Sequence, residues 1–242
     1  MRSVAIIQAR MGSTRLPGKI LKELQGKTVL AHVVDRVKAI VGINEVVIAT
    51  TTQPEDDLIA TEARLLDVAL YRGSETDVLT RYYEAAKGSK ADVILRITSD
   101  CPLLDPNVSA YILHHFKSAA KVDYVSNTLE RSYPRGLDTE VFTFSALQIS
   151  HDESQEPYHR EHVTPFIYEN QQRFRCESVR FEQDYSHYRW TLDTPEDWEL
   201  IQKMYEELYV PGKLFSWIEA KSFMSENPHL VKINENVVQK GK

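Results

Sequence analysis

A chain of 242 residues with 42% apolar and 26% charged residues can bury a substantial α/β core in one domain. Its net charge of -6 argues against a nucleic-acid binder, which carries a broad basic face, and no apolar run reaches the length of a membrane span. Cys101 and Cys176 form neither a disulfide framework nor a metal spacing, and the N-terminus lacks a signal-peptide profile, so a reducing, cytoplasmic setting is expected.

Val4 to Ala9 is a short apolar run of the kind a buried parallel strand shows. The chain then enters a loop with two glycines, a proline and three cations, Arg10, Arg15 and Lys19, and no acidic residue precedes Glu23. Such a loop suits a polyphosphate: glycine lets backbone N–H groups approach the oxygens, and Arg or Lys neutralises them. Ala9, Gly12 and Ser13 belong to the same cradle. A Walker loop is excluded, because five residues separate Gly12 from Gly18 and Ile20 follows Lys19. An ordinary strand-to-helix loop with solvated charges is the alternative.

Thr28 is an N-cap for a helix over Val29 to Val41, with Leu30, Val33, Val34 and Val37 on one stripe. Glu45 to Thr50 is a strand. Pro54 opens a helix with Glu55, Asp56 and Asp57 in its dipole-favoured first turn. Val68 to Tyr71 is a strand, and a helix runs through Ala86. Asp92 to Thr98 is a buried strand, and Asp105-Pro106 begins another helix. This alternation predicts a mostly parallel sheet with helices on both faces. Tyr124 to Ser126 and Asp138 to Phe144 are expected strands, flanking a turn at Tyr133 to Gly136. One helix is expected from Glu156 to Asn170, then strands at Phe174 to Phe181 and Tyr188 to Leu192. Thr194-Pro195-Glu196-Asp197 is a strong helix start, and a last helix covers Leu214 to Glu226. The tail after Pro228 is expected to pack loosely. With no repeat or linker, residues 1–242 form one expected domain.

Asp100 follows a buried strand, at the strand end where open α/β sheets gather ligands. A carboxylate facing a triphosphate needs a cation between them, and magnesium takes few protein carboxylates plus phosphate oxygens. A turn or helix cap is the other reading. Asp193 repeats the placement of Asp100 after Trp190-Thr191-Leu192, and Thr194 already supplies the helix cap there. Glu196 and Asp197 are explained by capping and the dipole. Arg135, the Asp138–Glu140 pair and Arg160-Glu161-His162 are candidates for a sugar. The triplet either binds an anionic sugar or forms a buried polar network beside a dimer interface.

The loop Ile6-Ile7-Gln8-Ala9-Arg10-Met11-Gly12-Ser13-Thr14-Arg15-Leu16-Pro17-Gly18-Lys19 resembles the signature of the sugar-activating cytidylyltransferases. Val47 to Thr51, Arg96 to Leu103, Arg160 to Pro165 and Leu192 to Asp197 extend this similarity over nearly the full chain, toward the spore-coat polysaccharide biosynthesis protein F branch. The resemblance implies a Rossmann-like nucleotide-diphospho-sugar transferase fold and a homodimer. It also implies magnesium on Asp100 and Asp193, and base contacts from Arg72, Ser74 and Asp77. That last segment departs from the pattern of the family members that activate 3-deoxy-manno-octulosonate, and a helix cap explains it equally well.

The function expected is magnesium-dependent activation of a sugar or sugar phosphate by a nucleoside triphosphate, CTP favoured, for surface-glycan synthesis. Arg10, Arg15 and Lys19 hold the triphosphate and Asp100 its metal. A GTP- or UTP-using sugar-1-phosphate nucleotidyltransferase, a nucleotide-sugar glycosyltransferase and a non-catalytic nucleotide-binding regulator are the rivals.

Overall fold

The computed structural model describes residues 1–239; residues 240–242, the end of the expected domain, lie outside the described residues. In chain order the elements are β1 (Ser3–Gln8), a hairpin of β2 (Glu23–Leu24) and β3 (Lys27–Thr28), α1 (Val29–Lys38), β4 (Glu45–Thr51), α2 (Asp57–Leu65), β5 (Ala69–Gly73), α3 (Val78–Gly88), β6 (Val93–Thr98), α4 (Pro106–Ser118), β7 (Tyr124–Ser126), β8 (Glu140–Thr143), α5 (Phe144–Glu153), α6 (Pro157–His162), α7 (Pro165–Glu169), β9 (Cys176–Ser178), α8 (Pro195–Leu208) and α9 (Trp217–Glu226).

Seven strands form one sheet in the order β5-β4-β1-β6-β8-β7-β9. Only β8 runs against the rest. Side chains alternate across each strand, so β1 feeds two cores. Ala5 and Ile7 pack with α1, α4, α8 and α9, whereas Val4 and Ile6 pack with α3, α5 and α7. This is the expected mostly parallel sheet covered on both faces.

The order of strands fixes where a ligand can sit. From β1 the chain steps to β4 and β5 on one side, then returns to place β6 on the other, so the strand order switches between β1 and β6. The crevice at such a switch opens at the carboxyl ends of the strands. Gln8 is in register with Thr98, which brings the loop after β1 alongside Ser99 and Asp100.

Three expectations are corrected. The single helix over 156–170 is two, α6 and α7, broken at Val163, whose φ is 73°. Thr164 N–H donates to the His162 carbonyl across it, a γ-turn that is strained for a β-branched residue. Pro165 accounts for the break, since it has no N–H to donate to the Glu161 carbonyl four residues back and its ring crowds that carbonyl. Residues 188–192 are not a strand but run extended against the 135 turn, with Arg135 bridged to Arg189. The tail as far as Asn234 does not pack loosely: Leu230 is buried, and Asn234 donates to Asp197 and to the Arg189 carbonyl.

Gly136 makes the approach of those two segments possible. Its φ is 106°, and a Cβ there would lie 2.6 Å from the carbonyl carbon and oxygen of Trp190. Gly136→Ala therefore forces backbone apart at a conformation L-residues avoid, and should cost about 2 kcal/mol or more. Urea unfolding of the variant measures this directly.

Candidate active site

Lys19 lies where the loop meets the rest of the crevice. Gly18 turns the chain at φ 65° into a short 3₁₀ turn, which aims the Lys19 ammonium inward. Its Nζ is 2.9 Å from Asp100 Oδ2, 2.7 Å from Asp193 Oδ1 and 2.6 Å from the Leu192 carbonyl. The two carboxylates proposed from sequence therefore converge on one point. Leu192 N–H donates to the Asp100 carbonyl, which locks the extended 188–192 segment to the end of β6. Burial disfavours the Lys19 charge, but Asp100 and Asp193 outweigh it and raise its pKa. Burial likewise pushes the Asp100 carboxyl up, and Lys19 with the Thr98 hydroxyl more than offsets it, leaving its pKa low. Both groups are charged at neutral pH.

Asp193 is gripped from its other oxygen by Arg15 at 3.1 Å and Arg189 at 3.0 Å. Arg189 in turn makes a bidentate pair with Asp197 at 2.8 and 2.9 Å. Asp197 is fully buried and also accepts from the Asp193 and Thr194 amides. The Thr194–Asp197 capping box expected from sequence is present. Asp197 does more than cap and charge the helix start. It is the anchor that orients Asp193. Asp197→Ala leaves Arg189 without its bidentate partner and should cost about 3–5 kcal/mol, as for breaking other buried pairs, measured by denaturant unfolding.

The loop itself is tied down by Asp56, a buried residue whose Oδ1 accepts from the Met11 amide at 2.7 Å and whose other oxygen accepts from Thr51. Its expected role was helix-start electrostatics. Arg10 is half exposed, with Glu75 3.8 Å away. Gly12 is exposed and Ser13 caps Leu16 N–H. Ala9 is buried and bonded to the end of β4.

The 72–77 segment makes architectural contacts. Arg72 donates to the Thr51 and Gln53 carbonyls and to Asp57. Ser74 Oγ accepts from Asp77 N–H, and Asp77 caps α3 through Thr80 N–H. Arg160 reaches across from α6 to Asp77 at 3.1 and 2.5 Å, and to Thr80 Oγ1 at 2.7 Å. Arg160 thus clamps α6 to α3, while Glu161 is exposed. Burial raises the Asp77 pKa, but Arg160 and the Thr80 contacts bring it below the ordinary value. A depressed carboxyl adds stability above the unfolded value, and this is lost as pH falls through the folded one. The stability gap between wild type and Arg160→Ala should therefore be full at neutral pH and narrow in acid below about pH 4, the ordinary Asp range, leaving the part due to the His151 and Ser154 carbonyls that Arg160 also engages. A pH series of melting temperatures follows it.

A pocket of 560 Å³ opens beside Thr98, between β6, the 128–138 segment and α6–α7. Glu140 lies at its base, buried, accepting from Arg96, Tyr124 and Thr164. Asp138 precedes β8 rather than sharing a strand face with Glu140, and makes a bidentate pair with Arg131 at 2.6 and 2.9 Å. Arg135 differs from its neighbours: no hydrogen bond or ion pair engages its guanidinium among the described residues. Burial lowers its pKa, and Arg131 beside it adds to this. His162 and Tyr158 complete the wall. Arg96 was missed from sequence, although an arginine inside the apolar run Val93-Ile94-Leu95-Arg96-Ile97 was a usable signal.

A cationic strand-end loop, two carboxylates at the switch point and an adjoining pocket with an unpaired guanidinium on this sheet define a nucleotidyltransferase. A solved cytidylyltransferase from Leptospira borgpetersenii superposes over 100% of both chains, with a TM-score of 0.91 and 33% identity. The spore coat polysaccharide biosynthesis protein SpsF of Bacillus subtilis is 34% identical over 84% of this chain and 85% of its own. A 3-deoxy-manno-octulosonate cytidylyltransferase of Mesorhizobium japonicum is 35% identical over 50% of each chain. The cytidylyltransferase family profile matches residues 4–218, and the chain belongs to that family.

Proposed function

We propose that this cytidylyltransferase transfers CMP from CTP to a sugar acid of the ulosonic class, with release of pyrophosphate and with magnesium as cofactor. The observation that carries the choice of acceptor is Arg135, an unengaged, half-buried guanidinium in a pocket that adjoins Asp100. Such a group calls for an anion, and the guanidinium fork matches a carboxylate. The named activity of the octulosonate relative supports the same class. The chemistry of the donor set fits magnesium: Asp100 and Asp193 present hard carboxylate oxygens to one cationic position, leaving the remaining ligands to phosphate and water. Bound there, the metal would neutralise the triphosphate and make the α-phosphorus more electrophilic.

The chain's own residues do the rest. Asp56 holds the Met11 amide, fixing the loop whose backbone and Arg10 cradle the phosphates. Arg15 and Lys19 balance charge on the departing pyrophosphate. Arg135 seats the acceptor carboxylate, and the Arg96–Glu140 and Arg131–Asp138 pairs keep the pocket rigid and offer polar atoms to hydroxyls. Positioning of the acceptor hydroxyl opposite the leaving group supplies much of the acceleration. A pyrophosphate-release screen of CTP, GTP, UTP and ATP against ulosonic acids and sugar 1-phosphates tests this. Turnover with CTP and an ulosonic acid is expected; preference for a sugar 1-phosphate with GTP or UTP refutes it.

A further inference from the structure

We infer that Lys19 is a built-in counter-ion for the Asp100–Asp193 pair, so that a divalent cation enters only in company with the nucleoside triphosphate. The inference rests on the assignment of that pair as the metal site, and goes beyond it by giving Lys19 a role before any phosphate arrives.

Three acceptors surround the Lys19 ammonium, Asp100 Oδ2, Asp193 Oδ1 and the Leu192 carbonyl, matching its three N–H donors. A lysine serving only as a phosphate ligand would reach into solvent, as the half-exposed Arg10 does. Lys19 instead has a side chain only 12% exposed, and it fills the point on which both carboxylates converge. The surrounding charge is balanced: Asp100, Asp193 and Asp197 face Lys19, Arg15 and Arg189. A dication added to this cluster alone meets an ammonium within contact distance and leaves an excess of positive charge in a poorly solvated site. A dication arriving with a triphosphate does not. The phosphate oxygens give Lys19 and Arg15 new partners as they release the carboxylates.

The architecture permits that exchange at small cost. The Lys19 backbone is fixed in the 3₁₀ turn after Gly18, so only its four-carbon stem has to swing. Arg189 stays on Asp197 throughout, which keeps Asp193 oriented when Lys19 leaves it. Metal binding thereby becomes conditional on the nucleotide, and free metal does not occupy the site in its absence.

The test is Mn²⁺ binding to the whole protein, read by electron paramagnetic resonance, with and without a non-hydrolysable CTP analogue. Without nucleotide, wild type and Lys19→Arg should retain little Mn²⁺. Lys19→Met, of similar shape and no charge, should bind it about tenfold tighter or more, since a neighbouring like charge is gone. Adding Asp100→Asn to Lys19→Met should abolish that gain, which ties it to this pair. With the analogue, wild type should bind Mn²⁺ tightly. If wild type without nucleotide already binds as well as Lys19→Met, or if the gain survives Asp100→Asn, the counter-ion role is wrong. If wild type binds Mn²⁺ with the analogue and Lys19→Met gains nothing alone, that role fails while the metal assignment stands. Absence of Mn²⁺ binding even with the analogue would overturn both.

Discussion

Asp193→Asn and Asp100→Asn should each lower turnover by about 10²–10³-fold, the range seen when one preorganised electrostatic group is removed from an active site. Each substitution keeps the shape of the side chain and removes its charge. The melting temperature of the nucleotide-free protein should move little for Asp193→Asn, because Asp197 still holds Arg189. The double variant should lose far less than the product of the two single effects, since both carboxylates serve one cation. Glu196→Gln is the control: Glu196 is an exposed residue of the first turn of α8, and its loss should leave turnover unchanged. Steady-state kinetics with varied magnesium distinguishes these outcomes. A small effect of Asp193→Asn would make Asp193 a structural partner of Arg15, Lys19 and Arg189 and nothing more.

Arg135→Ala should raise KM for the acceptor by roughly tenfold to a hundredfold, the equivalent of a lost charge-assisted contact. CTP affinity by calorimetry should be unchanged, because Arg135 lies on the pocket side of β6 and not on the loop after β1. Arg135→Lys should recover only part of the loss, as an ammonium cannot reproduce the two-pronged fit to a carboxylate. A loss of CTP binding in Arg135→Ala would mean that this pocket takes part of the nucleotide. The acceptor would then have to be placed elsewhere.

What was legible in the sequence was local. The apolar run of β1, the cationic loop, the alternation of strands and helices and the Thr194-Pro195 helix start all depend on neighbours a few residues apart. Even the placement of Asp100 and Asp193 followed from each ending an extended apolar run. What was not legible depends on distant partners. Asp56 looked like one of three equivalent acids after Pro54, yet only Asp56 turns inward to the Met11 amide, 45 positions away. Asp197 fits a capping box on sequence grounds, and nothing local reveals that Arg189 and Asn234 also converge on it. Lys19 was placed on the triphosphate, while its contacts are to Asp100 and Asp193, 81 and 174 positions away. The break at Val163 is the exception, because Pro165 announced it.

The central claim is that this site moves a cytidylyl unit, carrying a single phosphorus, from CTP onto a sugar acid. Phosphorus-31 NMR of the product tests it most directly, because a CMP-linked sugar acid and a nucleoside-diphosphate sugar differ in the number of phosphorus atoms. With CTP, magnesium and an ulosonic acid, one phosphodiester resonance should appear in step with free pyrophosphate. A product carrying two coupled phosphorus resonances, formed from a sugar 1-phosphate and faster with GTP or UTP than with CTP, would contradict the account.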